Sequence, residues 1–187
     1  MGAASRYKRR LMPALLHFSE NPHISVFHPH IPARSSGAFS GPMVWAVDEE
    51  HAPGFWVPRD CPRACCWSGG RPLSETGRAL LGLGAGERMH AVEGAWLERV
   101  RACTLYVYRF DPEPFEFYNR NAGYHAARQT LIPLSVEPVG DVLDLHARAG
   151  IELRIVPNLW PLIDAIIGSD LEFSIIHKED ALPRASS

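Results

Sequence analysis

Two arginines, each directly behind a proline and close to carboxylates, stand at the end of Val44–Arg63, VWAVDEEHAPGFWVPRDCPR. Proline fixes the backbone on either side of Arg59 and Arg63, so their side chains are aimed repeatably. Planar guanidinium groups match phosphate oxygens in pairs, and together they suit a pyrophosphate. The same groups can instead satisfy Asp48, Glu49 or Asp60. With so many carboxylates nearby, we expect Arg59–Arg63 to be ordered, with at least one arginine in a bidentate carboxylate pair. The positioning elements are a strand over Val44–Val47, Asp48 as a cap, and a short helix from Glu49 stopped by Pro53-Gly54. This is either an ordinary strand, cap and helix or the wall of a pocket.

Composition narrows the partners. The chain has 187 residues, of which 46% are hydrophobic and 10% aromatic, enough for the core of one domain. A formal charge of -2 and a pI near 6.5 leave no basic excess. Nucleic acid is therefore not expected as the main partner, and a small-molecule or nucleotide ligand is. No apolar run is long enough for a membrane span. Met1–Arg10 is polar and basic, and the apolar piece Leu11–Leu16 is broken by Pro13, too short for a signal core. We expect a cytoplasmic protein with a disordered tail over residues 1–13, one domain over 14–178 and a second tail over 179–187. Cys61, Cys65, Cys66 and Cys103 match neither a paired zinc module nor a secreted disulfide framework, so free thiols and no metal are expected.

The expected fold class is α+β, a single domain whose mixed or antiparallel sheet carries flanking helices. Strand-like segments are Ala14–Ser19, Met43–Val47, Arg63–Trp67, Met89–Glu93, Thr104–Phe110, Ile151–Val156 and Glu172–His177. Helix-like segments are Glu49–Trp56, Ser74–Leu83, Ala95–Arg101, Val139–Ala149 and Leu159–Ile167. Pro22–Pro42, with several prolines and a Ser-Ser-Gly step, reads as a long loop. Gly82–Gly86 imitates a dinucleotide loop, but a helix precedes it and a strand follows, so it reads as a helix-ending turn. Phe110–Tyr118, FDPEPFEFY, is an acidic aromatic loop that either covers a pocket or tucks its rings onto the core.

Four segments carry a resemblance: LLHFSENPHISVF, MVWAVDEEHAPGFWVPRDCPR, GYHAARQTLIPLSVEPVGD and IELRIVPNLWPLIDAIIGSDLEFSII. They resemble an uncharacterised bacterial family, common in actinobacteria, over about Ala14–Ile176. That resemblance implies no activity. Leu16–Ser19, Val44–Asp48 with His51-Ala52, and Tyr124–Leu131 are also similar, in order and separation, to small rifamycin-modifying ADP-ribosyltransferases. This second resemblance implies an ADP-ribosyltransferase-like scaffold with NAD as cofactor. His17 would hold the ribose, Trp45 would stack on nicotinamide, and a late acidic residue would stabilise the oxocarbenium-like transition state. Glu116, Asn119 and Glu137 compete for that last role, and Glu137 is taken as the catalytic candidate beside His17 and Trp45.

Cleaving an N-glycosidic bond develops positive charge on the ribose, which a carboxylate stabilises while a histidine donor positions the hydroxyls. Ser19, Asp48, Arg59, Arg63, Tyr124 and Arg128 are the expected cofactor-binding residues. One cleft is expected to gather His17, Ser19, Trp45, Asp48, Arg59 and Tyr124. Three function classes stay open: a transferase or NAD-glycohydrolase, a non-catalytic nucleotide or small-molecule binding module on the same scaffold, and a partner-binding protein using Trp160-Pro161.

Overall fold

The computed structural model describes residues 13–31, 41–84, 86–119 and 122–184. Its strands are β1 (Leu15–Ser19), β2 (Val44–Val47), β3 (Arg63–Trp67), β4 (Arg88–Glu93), β5 (Tyr106–Phe110), β6 (Glu116–Asn119), β7 (Tyr124–Ala127), β8 (Ser135–Pro138), β9 (Glu152–Val156) and β10 (Glu172–Ile176). Its α-helices are α1 (Glu75–Leu81), α2 (Leu97–Ala102), α3 (Val142–Arg148) and α4 (Trp160–Ile167). The expected α+β architecture is the one observed. Six strands form an antiparallel sheet in the order β6-β7-β2-β1-β5-β8, and four form a mixed sheet, β10-β3-β4-β9, in which β9 runs parallel to β4. The expected pairing of the first two strands is present, through Leu16 and Val47. Among the described residues no helix is long and apolar enough to cross a membrane.

Alternation explains how each sheet is covered. In β3 all five residues are buried, because both faces are packed. Ala64 and Cys66 face α1 and α4 in a core with Met89, Ala91, Leu159, Ile163 and Ile166. Arg63, Cys65 and Trp67 therefore face the other way. The large sheet buries Leu15, Val44, Ala46, Tyr108 and Phe110 on one face under Phe27. Leu16, Val47 and Val107 occupy its other face, against Ala52 and Phe55.

Three strands and one helix depart from expectation. β6 and β8 are exposed edges carrying Glu116, Glu137 and Pro138, residues that blunt an edge rather than raise strand propensity. β7, Tyr-His-Ala-Ala, is held by its neighbours β2 and β6. The expected helix over Glu49–Trp56 is a capped turn: Asp48 Oδ1 accepts from His51 N at 2.9 Å, and only Ala52–Phe55 winds into a 3-10 helix. Pro53 supplies no donor to continue a full α-helix. Of Pro22–Pro42, residues 32–40 lie outside the described part, while Phe27 and His30 bridge to Leu131 and Met43. The expected N-terminal tail lies outside it too, save Pro13. Residue 178, the expected domain end, opens a 3-10 helix, Lys178–Asp180, and the chain beyond it is tied back to the core.

Glu93 makes that tie. Its carboxylate is 1% exposed, and it accepts from Leu159 N at 3.0 Å and from Leu182 N at 2.9 Å. It thereby holds the N-cap residue of α4, beside Asn158 Oδ1, which accepts from Trp160 N at 2.9 Å, and it anchors the C-terminal segment. Glu93→Gln can accept from only one of these amides and turns an NH2 toward the other. Leaving one buried donor unmet costs about 2 kcal/mol, and the variant is expected to melt roughly 4–8 °C lower in a thermal scan. An unchanged melting temperature would mean that the two amides find other acceptors.

Candidate functional site

A cavity of about 920 Å³, within the range of sites for drug-sized ligands, is bordered by strands of both sheets and reaches Ile163 and Ile167 of α4. Phe18 and Trp45 of β1 and β2, Tyr124 of β7, Phe55 of the 3-10 turn, and Arg59 and Arg63 before and in β3 all border it. The phenyl rings of Phe18 and Phe55 stack in parallel at 6.3 Å, and Trp45 meets Tyr118 and Tyr124 edge to face. Flat apolar walls of this kind receive rings.

Arg63 is the unusual member. It is 3% exposed, and Nε donates to Gly54 O at 2.7 Å while Nη1 donates to Cys61 O at 2.8 Å and Arg59 O at 3.3 Å. Its guanidinium also lies over the Phe55 ring. Burial pulls its pKa down. The expected bidentate carboxylate pair is not formed: among the described residues neither Arg63 nor Arg59 makes an ion pair. The reason is local. The Pro58–Pro62 turn folds its own carbonyls over Arg63 before any carboxylate can reach it, and Glu20 Oε1 is taken by the backbone N of Arg59 and approached by Arg99.

His17 and Ser19 also border the cavity, but they leave the opposite face of the large sheet from Tyr124. Leu16, Val47 and Tyr124 form one cross-strand row, so the residue after Leu16 points away, and His17 meets Phe27 edge to face at 5.0 Å. Of the cleft expected from sequence, His17, Ser19, Trp45, Arg59 and Tyr124 border this one cavity and Asp48 does not, but His17 and Tyr124 leave opposite faces of the sheet, so it is not the cleft as expected. β1 and β2 share only the Leu16–Val47 pair, and where they part His17 Nδ1 bonds Trp45 O at 2.9 Å. A carbonyl only accepts, so Nδ1 holds the proton. Burial lowers the His17 pKa to about 4, with the Trp45 bond partly offsetting it. The ring is neutral and its Nε2 is an acceptor, which corrects the expected donor role.

Asp48, Glu137, Arg128 and Glu116 are not brought to the cavity. Asp48 serves the turn: burial works to raise its pKa, but bonds from His51, including Nδ1 at 2.7 Å, leave it lowered. Glu137 sits on exposed edge strand β8, Glu116 on exposed edge strand β6, and Arg128 on the surface past β7. Asn119 does reach the wall, and among the described wall residues Glu179 is the one carboxylate. Sequence reasoning missed Phe55, Lys178 and Glu179, whose only signal was a place in aromatic or charged turns, whereas Tyr118, at the end of the segment read as a possible pocket cover, does reach the wall. The thiols are free, as expected, and burial raises Cys61 and Cys66 to about 12 and Cys65 to about 11. Among the described residues, one group, His177, Glu179 and Asp180, has donor atoms within 4.8 Å of one another, suited to a cation.

A model of DUF6886, a family of unknown function, matches residues 16–181. The chain belongs to that family. The expected membership of an uncharacterised family is thus met, and the match runs from β1 through Lys178–Asp180, taking in both sheets and the cavity they border. No curated protein and no solved structure matches the chain.

Proposed function

We propose that the protein is a binding module for a nucleotide-class ligand such as NAD, held in the inter-sheet cavity. One observation carries this reading: Arg63 is a buried cation in the cavity wall, and among the described residues no carboxylate forms an ion pair with it, Asp60 acting only from a distance. An uncompensated buried charge is costly, and a ligand phosphate supplies the missing counter-ion through Nη2, which its backbone bonds leave unused. Arg59 extends the anionic end, and Trp45, Tyr118, Tyr124 and Phe55 receive the rings. His17 Nε2 can accept from a ribose hydroxyl where β1 and β2 part. Binding is favoured over N-glycosidic chemistry because Glu137 and Glu116 lie outside the cavity.

Calorimetric titration with NAD and with ADP-ribose tests this, followed by mass spectrometry for free nicotinamide. Heat from both titrations without nicotinamide release is the expected result. Absence of heat from either would overturn the reading. Release of nicotinamide would replace it with a transferase or NAD-glycohydrolase, for which Glu179 is the carboxylate to mutate first.

A further inference from the structure

Register sets His90 of β4, Cys65 of β3 and Ser174 of β10 side by side in one row, on the face of the small sheet turned away from α1 and α4. All three border a recess of about 10 Å³ whose wall shares Phe55, Ala122, Ser174 and Ile176 with the inter-sheet cavity. That space is about one water-sized sphere.

A chain of hydrogen bonds sets the state of His90. His146 Nδ1 lies 2.6 Å from Val142 O, so that nitrogen carries the proton and Nε2 is an acceptor. His90 Nδ1 lies 3.1 Å from this Nε2 and must donate to it. His90 Nε2 is left without a proton. It is buried, with the residue 3% exposed, and among the described residues it has no hydrogen-bond partner. A buried acceptor left unmet is destabilising, a cost that a donor placed in the recess removes. Nothing in the row is anionic, since burial keeps the Cys65 thiol protonated.

We propose that this recess is the inner end of the ligand site and takes a terminal NH2 group, an exocyclic amine or a primary carboxamide, with His90 Nε2 as its acceptor. The inference rests on the nucleotide reading above. Room for one non-hydrogen atom, beside the Phe55 and Ile176 side chains that border both spaces, fits a group projecting from the rim of a flat ring. A phosphate is too large for it.

The test uses the full chain with 15N-labelled histidine and two matched ligand pairs. NAD is compared with its 3-acetylpyridine analogue, in which a methyl replaces the carboxamide NH2, and AMP with IMP, in which a carbonyl replaces the amine. For at least one pair, the NH2 ligand is expected to bind about tenfold more tightly and to shift the bare His90 Nε2 resonance, while its counterpart leaves that resonance in place. The resonance is identified by its loss in His90→Gln. Equal binding within both pairs overturns the recess assignment and leaves the nucleotide reading standing. A preference without movement of the His90 signal also overturns it, because the NH2 group is then read elsewhere. Failure of all four ligands to bind overturns both.

Discussion

Arg63→Ala is expected to melt roughly 6–12 °C below the parent protein and to lose NAD-induced stabilisation. The first effect comes from the backbone. Three carbonyls, of Gly54, Arg59 and Cys61, lose their donor, and a buried guanidinium is replaced by space beside Phe55. Unmet buried acceptors and a lost side chain together cost about 3 kcal/mol, which in a chain of this size gives that shift. The second effect is separable. Arg59→Ala removes a guanidinium that makes no ion pair among the described residues, while the backbone N that bonds Glu20 stays in place. It is expected to keep the parent melting temperature and to weaken NAD binding. Arg63→Lys keeps the charge without the fork, so it is expected to lie between the parent and Arg63→Ala in both measurements. Thermal scans of the three variants with and without NAD give both readouts. An apo Arg63→Ala as stable as the parent would remove the structural role, and NAD stabilisation retained in it would remove the anion contact.

How much of this was legible in the sequence depends on what holds each element. Segments with strong local signals were readable: helices are expected over Ser74–Leu83 and Val139–Ala149 and α1 and α3 lie within them, opened by the Ser74 and Asp141 caps that the structure adds, and the apolar strands β1, β2 and β3 lie where their composition places them. β6, β7 and β8 were not, because their strand state comes from pairing, β7 with β2, β8 with β5 and β6 with β7, rather than from their own residues. Residue types of the site were readable to a similar depth. Arg59, Arg63, Trp45 and Tyr124 meet at one cavity, as residues at strand ends and turns can. Facing was the part that failed. One ladder pair between β1 and β2 decides that His17 leaves the sheet on the Phe27 side, and a register is a tertiary fact with no local signal. The Arg63 pairing failed for a related reason, since backbone carbonyls compete with carboxylates for a guanidinium and no residue type announces them.

Acid is expected to unfold this protein early, with stability falling as the pH drops from 6.5 toward 4. Burial, partly offset by the bond to Trp45 O, lowers the His17 pKa from 6.5 to about 4. The sign follows from proton counting. Between those values the unfolded chain takes up a proton that the folded chain refuses, so the contribution of His17 is complete above pH 6.5 and is lost as the pH falls through the window. Each pH step of one across that window removes about 1.4 kcal/mol, so His17 alone accounts for about 3 kcal/mol. His90 and His146 shift in the same direction through burial, and their bond also holds His146 neutral, since a proton on His146 Nε2 would break it. Urea denaturation at pH 7 and at pH 4.5 measures the sum, and a lower midpoint at pH 4.5 is expected. His17→Phe isolates the first part. It keeps a ring against Phe27, has nothing to protonate, and should flatten the dependence of stability on pH in this window by about 3 kcal/mol. A His17→Phe curve as steep as the parent's would show that His17 is not held neutral between the strands, and with it the acceptor role of Nε2 at the cavity would fall.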